Sequence, residues 1–157
     1  MASHQIRLES FFKAIIQLDY EAISSFYSPE AVYSSPVFDK ITGPEIHGMW
    51  RLVCEMSHEI DIKIGHIEVH DQECEVSWLL KYDIPVLKKI IEQPVHSIFK
   101  MDGNGIISHE DQYNFAQWSG MLLGHWGVTF GHLSLLQLFF RKVVRQVLLR
   151  DMRRWGD

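Results

Sequence analysis

Residues 95–115 read V-H-S-I-F-K-M-D-G-N-G-I-I-S-H-E-D-Q-Y-N-F. The quartet Asp102-Gly103-Asn104-Gly105 separates two strand-like runs, and glycine at two of its four positions suits a tight hairpin. Along the second run, alternate residues point to opposite faces. One face carries Ile107, His109, Asp111, Tyr113 and Phe115; the other carries Ser108, Glu110, Gln112 and Asn114. An imidazole and a carboxylate thus stand two residues apart on the face that is otherwise apolar. A carboxylate in that position must be paired, hydrogen-bonded or shifted in pKa. An acid/base site has this appearance in sequence.

The pattern extends upstream. Cys74, Val76, Trp78, Leu80 and Tyr82 alternate with Glu73, Glu75, Ser77, Lys81 and Asp83 to give the cleanest strand of the chain. Before it, Ile60, Ile62 and Ile64 alternate with Asp61 and Lys63. The apolar phase then flips to Ile67 and Val69, which predicts a β-bulge at Gly65. A further strand is expected over Ile90–Met101, preceding the hairpin turn. The N-terminal part is helical. Ile6, Leu8, Phe11, Phe12, Ile15, Ile16 and Leu18 give an amphipathic helix over 5–18. Asp19 is placed to cap a second, short helix containing Ala22, Ile23 and Phe26. Ala31–Phe38 reads as a short edge or bent strand because of Pro36. Gly43-Pro44 opens a helix running through Met56. A last helical block spans Ala116–Trp155, interrupted near Gly124–Gly131.

Helices followed by strands in series, then a helix, predict an α+β domain with helices on one face of a curved sheet. At 157 residues, with 46% hydrophobic and 22% charged residues, the chain is one domain large enough for a core and a pocket. A net charge of −5 argues against a nucleic-acid partner. Two cysteines, no signal-peptide pattern and no apolar run near membrane-spanning length predict a cytoplasmic protein.

Three stretches carry a family resemblance. They are D-Y-E-A-I-S-S-F-Y-S-P-E-A-V-Y-S-S-P-V-F at 19–38, V-H-S-I-F-K-M-D-G-N-G-I-I-S-H-E-D at 95–111, and Y-N-F-A-Q-W-S-G-M-L-L-G at 113–124. With the order of elements, they make the chain resemble the SnoaL-like branch of the nuclear transport factor 2-like superfamily, which includes ketosteroid isomerase and polyketide cyclases. The resemblance implies a cone-shaped α+β barrel over 1–130: a curved antiparallel sheet wrapped around an N-terminal helical layer. Residues 131–157 would then be a C-terminal amphipathic helix packed on the same domain or on a partner. The resemblance also implies a homodimer, formed through the outer face of the sheet, and an apolar pocket inside the cone for a small oxygenated ligand.

The superfamily hosts several chemistries and also non-catalytic domains, so the site must decide function. Ketosteroid isomerase uses an Asp base with a Tyr and a protonated Asp as oxyanion hole. The resemblance places Ser35, Phe11 and Ser97 at those three positions. Phenylalanine donates no hydrogen bond and serine is a poor unaided base, which argues against ketosteroid isomerase activity. SnoaL-type cyclases instead use the Asp of an H-x-D pair on the last strand, and His109-Glu110-Asp111 matches that pair.

The candidate catalytic residues are therefore Asp111 as general base, with a pKa raised by its pocket, His109 as its partner, and Tyr33 as an oxyanion donor. Candidate pocket residues are Phe11, Ser35, Trp50, Ser97, Tyr113 and Trp118, with His125-Trp126-Gly127 at the pocket mouth. The same residues fit an isomerase, cyclase or hydrolase, or a non-catalytic ligand-binding or protein-interaction domain. No metal or organic cofactor is expected. His66, Glu68 and His70 share one strand face, but Ile67 and Val69 hold the apolar face, so the three read as solvated; neither H-E-x-x-H nor paired C-x-x-C occurs. The last helix sets Leu136, Phe140, Val143, Val144, Val147 and Leu148 against Arg141, Lys142 and Arg145. Packing against protein is favoured for it over a membrane surface.

Overall fold

Leu8, Phe11, Phe12 and Ile15 recur at i, i+3, i+4 and i+7, and this stripe is what helix α1 (Ala2–Ile16) buries. Ile6 and Ile16, which the sequence placed in the same stripe, are 63% and 45% exposed. The computed structural model describes residues 2–132 and 134–156. Asp19 caps α2 (Tyr20–Ser25) by accepting from the Ala22 N–H at 2.9 Å. Strand β1 covers Tyr27–Ser34 and the short β2 covers Ile41–Thr42. Pro44 occupies the first turn of α3 (Pro44–Met56).

Four long strands follow: β3 (Ile60–His70), β4 (Glu73–Ile84), β5 (Lys89–Asp102) and β6 (Gly105–Gln112). They pair in antiparallel sequence, and the β3–β4 register slips between Ile64 and His66, at the expected Gly65 bulge. At the β5–β6 turn, Asp102 Oδ1 accepts from the Asn104 and Gly105 N–H groups. Gly105 has φ +142, and a Cβ there would lie 2.5 Å from the Phe26 carbonyl oxygen, so the turn excludes a side chain. Helices α4 (Phe115–Leu123), α5 (His125–Phe130) and α6 (Ser134–Trp155) complete the described chain, with the break at Gly124–Gly131.

The α+β cone with its C-terminal helix is as expected; the sheet is open, and it is mixed rather than antiparallel throughout. Its order is β2-β1-β6-β5-β4-β3. β1 lies parallel to β6, with Tyr33 beside His109. The chain leaves β1, builds β2, α3 and the strands β3, β4 and β5, and re-enters next to β1 in the same direction. Local alternation does not encode that non-local choice. β1 also starts earlier and ends earlier than the expected Ala31–Phe38. Past Ser34 the chain turns: the Ser35 N–H donates to Phe38 O, and Ser35 Oγ accepts from the N–H groups of Val37 and Phe38.

Helix α6 packs on α3 of its own chain. Leu148 and Met152 are buried, and Gly48 lets the two helices approach. A Cβ on Gly48 would lie 2.8 Å from the Met152 side chain and 3.1 Å from Leu148. Along the same face, toward the start of α6, Gln137 and Arg141 donate to the Pro36 carbonyl, and Arg145 pairs with Glu45. Among the described residues no helix is long and apolar enough to cross a membrane.

Gly48→Leu should therefore destabilise the protein by about 1–3 kcal/mol through overpacking, read as a lower Tm. Gly48→Ala needs smaller shifts of the Met152 and Leu148 side chains and should cost less. A leucine variant as stable as the parent would show that α6 is not seated on α3.

Candidate functional site

The polar groups inside the cone come from four strands and one helix. Asp111 and His109 lie on β6 with their side chains inward, 7% and 1% exposed. Ser97 lies opposite Asp111 on β5, and Tyr33 reaches across from β1. Asp111 accepts three hydrogen bonds: from Tyr33 Oη to Oδ2 at 2.8 Å, and from Ser97 Oγ and His109 Nε2 to Oδ1 at 2.5 and 2.8 Å. Behind them, Tyr27 Oη lies 2.7 Å from His109 Nδ1 and accepts from the Trp50 indole N–H at 3.2 Å. The Trp78 indole N–H donates to Ser97 Oγ at 2.8 Å.

An indole N–H can only donate, and a hydroxyl has one proton to give. With Tyr27 donating to Nδ1 and the Nε2–H donating to Asp111, every proton in the chain Trp50, Tyr27, His109 runs toward the carboxylate. That arrangement is a neutral His109 protonated at Nε2; with Nδ1 protonated as well, Tyr27 Oη accepts from it and the imidazolium charge faces Asp111. On the second branch, Trp78 donates to Ser97, which donates to Asp111.

The sequence expected the pocket to raise the pKa of Asp111; the structure lowers it. Burial pushes the carboxyl up. The positive charge available on His109 and the hydrogen bonds from His109, Ser97 and Tyr33 outweigh it and hold the group below its ordinary value. Burial raises the hydroxyl pKa of Tyr27 and Tyr33, with the Asp111 charge adding to both, so both stay protonated donors.

Asp111 and Tyr33 open onto a cavity of about 340 Å³, a size common for small-molecule sites. Trp50 and Met49 of α3, Trp78, Leu80 and Tyr82 of β4, and Trp118 of α4 form its walls, closed on one side by Phe140, Val144 and Val147 of α6. The C-terminal helix is thus part of the cavity and not an appendage beside it. Trp118 donates its indole N–H to Tyr82 Oη at 3.1 Å. Tyr113 lines the cavity beside Ser35, its hydroxyl pKa raised by burial.

The residues singled out in sequence divide accordingly. Asp111, Tyr33, Ser35, Trp50, Tyr113 and Trp118 reach the cavity. His109 and Ser97 stand behind Asp111 and do not line it. Phe11 is core: its ring packs edge-on against Trp50, Tyr27, Phe99 and His109. The hydroxyl of Ser35 already accepts from its own turn. Trp126 is 72% exposed, stacked on Phe130 and away from the cavity. Ile107 does not share the inward face, because a register shift after Lys100 turns Ile106 inward instead. Among the described residues, no group of His, Cys, Asp and Glu gathers into a metal site.

Two residues were missed. Tyr27 has no parity signal, since it sits at the irregular start of β1. Gln93 shares inward parity with Val95 and Ser97, and that signal could have found it. It is 3% exposed, and its Oε1 accepts from no group.

No protein-family model matches the sequence, and neither does any curated protein. Solved structures do match. A ketosteroid isomerase-like protein of Catenulispora acidiphila, in complex with trimethylamine, is 14% identical with a TM-score of 0.66 over 74% of this chain and 91% of that one. An LEH-like epoxide hydrolase of M. tuberculosis is 18% identical with a TM-score of 0.65 over 79% and 90%. A candidate SnoaL-like polyketide cyclase of Shewanella putrefaciens is 20% identical with a TM-score of 0.67 over 78% and 86%. The chain has the SnoaL-like, nuclear transport factor 2-like fold. Within this SnoaL-like cone, the shared structure spans roughly three quarters of the chain.

The depressed pKa of Asp111 has a consequence for stability. An unfolded aspartate titrates near 3.9 and the folded one lower. The stabilisation is therefore complete above the unfolded value and is lost as pH falls through the folded one. Tyr33→Phe removes one donor, which should raise the Asp111 pKa and move this acid limb to higher pH, at a cost of about 1.5–3 kcal/mol near neutrality. Carboxyl NMR titration with acid melts checks it; an unmoved limb would mean that Tyr33 does not hold the carboxylate.

Proposed function

We propose that this protein binds a small, mostly apolar, oxygenated molecule in the cone and uses Asp111 to accept a proton from it. The observation that carries this reading is a single ionised carboxylate at the wall of a mostly apolar cavity. A carboxylate offers about four acceptor sites, and the hydrogen bonds to Asp111 occupy three. The remaining site, on Oδ2, faces the ligand. A ligand that fills the cavity displaces water from it, so its proton held against Oδ2 meets a charge that is poorly screened. His109 acts as a positioning residue: its Nε2–H donates to Oδ1 and fixes the carboxylate plane. Proteins of similar fold that are named for epoxide hydrolysis and polyketide cyclisation favour oxygenated carbon skeletons as ligands. The class of chemistry is then isomerisation, cyclisation or hydrolysis without a cofactor.

A second reading is a non-catalytic binding domain. The low pKa of Asp111 favours it, because a carboxylate so well satisfied is a weak base and an effective anchor for a ligand hydroxyl.

Proton abstraction can be read without knowing the substrate. The protein is incubated in D₂O with a panel of enolisable cyclic ketones and lactones, and α-proton exchange is followed by NMR. We expect exchange above background with at least one member, lowered by about 10²-fold or more in Asp111→Asn, at a temperature below both melting transitions. Exchange that persists unchanged in the variant removes Asp111 from the mechanism. Absence of exchange across the panel, with binding retained, selects the non-catalytic reading.

A further inference from the structure

The cavity has a second polar pole at Gln93. This residue lies on the same inward face of β5 as Ser97, four residues away, and Ser97 is in register with Asp111. Four strand residues span roughly 13 Å. The side chain lines the cavity and is 3% exposed, and its Oε1 has no partner. A buried acceptor without a donor is unfavourable for the free protein, and buried polar groups are satisfied in nearly all structures. Among the described residues no donor reaches Gln93 Oε1: Leu80 lies directly opposite on β4, and the Tyr82 hydroxyl, which accepts from Trp118, is not bonded to it.

We infer that Gln93 and Asp111 are the two ends of one elongated binding site, taking an apolar molecule with a hydroxyl at each end. This rests on the reading that the cone binds a small molecule, and it goes further by assigning the ligand two polar groups and the distance between them. A hydroxyl suits both poles. At Asp111 it donates to the open position on Oδ2. At Gln93 it serves either orientation of the amide, since it both donates and accepts. The apolar middle of the ligand runs past Trp78, Leu80 and Val95, whose side chains line the cavity between the poles. A ligand with one polar group satisfies Asp111 and leaves Gln93 bare, so the second pole selects for the doubly hydroxylated molecule.

The test uses the cavity tryptophans Trp50, Trp78 and Trp118 as fluorescence reporters. Straight-chain α,ω-diols from hexanediol to dodecanediol are titrated beside the monoalcohols of equal length. We expect one length to bind roughly five- to tenfold more tightly as diol than as monoalcohol, the worth of one added hydrogen bond. Gln93→Met should abolish that preference while leaving monoalcohol affinity in place, and should raise the Tm of the free protein because the orphaned acceptor is gone. Gln93→Leu serves as the second variant. No diol preference at any length, a preference retained in both variants, or a lowered Tm in both would overturn the inference. The D₂O exchange experiment reads Asp111 alone, so loss of exchange and loss of diol preference are separable failures.

Discussion

A buried carboxylate charge is the constraint around which this molecule is arranged. Asp111 takes donors from three strands: Tyr33 on β1, Ser97 on β5 and His109 on its own β6. Two of those donors are fixed in turn, His109 by Tyr27 and Trp50, Ser97 by Trp78. One ionised group therefore ties α3, β1, β4, β5 and β6 together. Removing one partner of such a network leaves a buried polar group unsatisfied, which costs more than the bond itself contributes. The parallel β1–β6 pairing acquires a physical reason here: it places Tyr33 beside His109, from where its hydroxyl reaches Asp111.

Packing around the same network fills position 11, where the resemblance would put the ketosteroid isomerase tyrosine. Phe11 packs edge-on against the His109 ring, and Phe99 stacks on that ring with centroids 4.1 Å apart. The imidazole is held by aromatic faces on its flanks and by hydrogen bonds at its two nitrogens. A tyrosine at position 11 would carry a hydroxyl into this packed region, where no described cavity opens. The buried hydrogen-bonding side chains gather instead around the H-x-D strand.

Much of this was legible in the sequence because strand parity has a period of two. The inward placement of His109 and Asp111 followed from alternation alone, as did the Gly65 bulge from the phase flip between Ile64 and Ile67. The Asp19 cap and the Pro44 helix start were equally local. What failed was non-local. The direction of β1 depends on where the chain returns. The bulge at Ile107 reversed its parity, and the turn after Ser34 removed Ser35 from the strand. The sign of the Asp111 pKa shift could not be read, because burial and hydrogen bonding act in opposite directions and only the identity of the donors decides between them. Two of those donors, Tyr33 and Ser97, had been assigned to a ligand rather than to the carboxylate.

The cavity then follows from how the two layers fail to fill each other. Tryptophans from α3, β4 and α4 stand around a space that α6 closes with Phe140, Val144 and Val147. The buried cluster of Val37, Ile84, Ile91, Phe115 and Trp118 packs beneath the same helix. A protein interior without function is close-packed, and one that buries an acceptor supplies it with a donor. This interior departs from both rules in one place: it keeps a space of ligand size and lines it with an unpartnered Gln93. The carboxylate at the other end is stabilised by protein donors and still has an acceptor position open. An apolar space with an open acceptor at each end is more costly to the free protein than a filled core, and binding a molecule with matching donors removes both costs at once. The stability given up in the core and the chemistry of the ligand are, in this fold, two sides of the same arrangement.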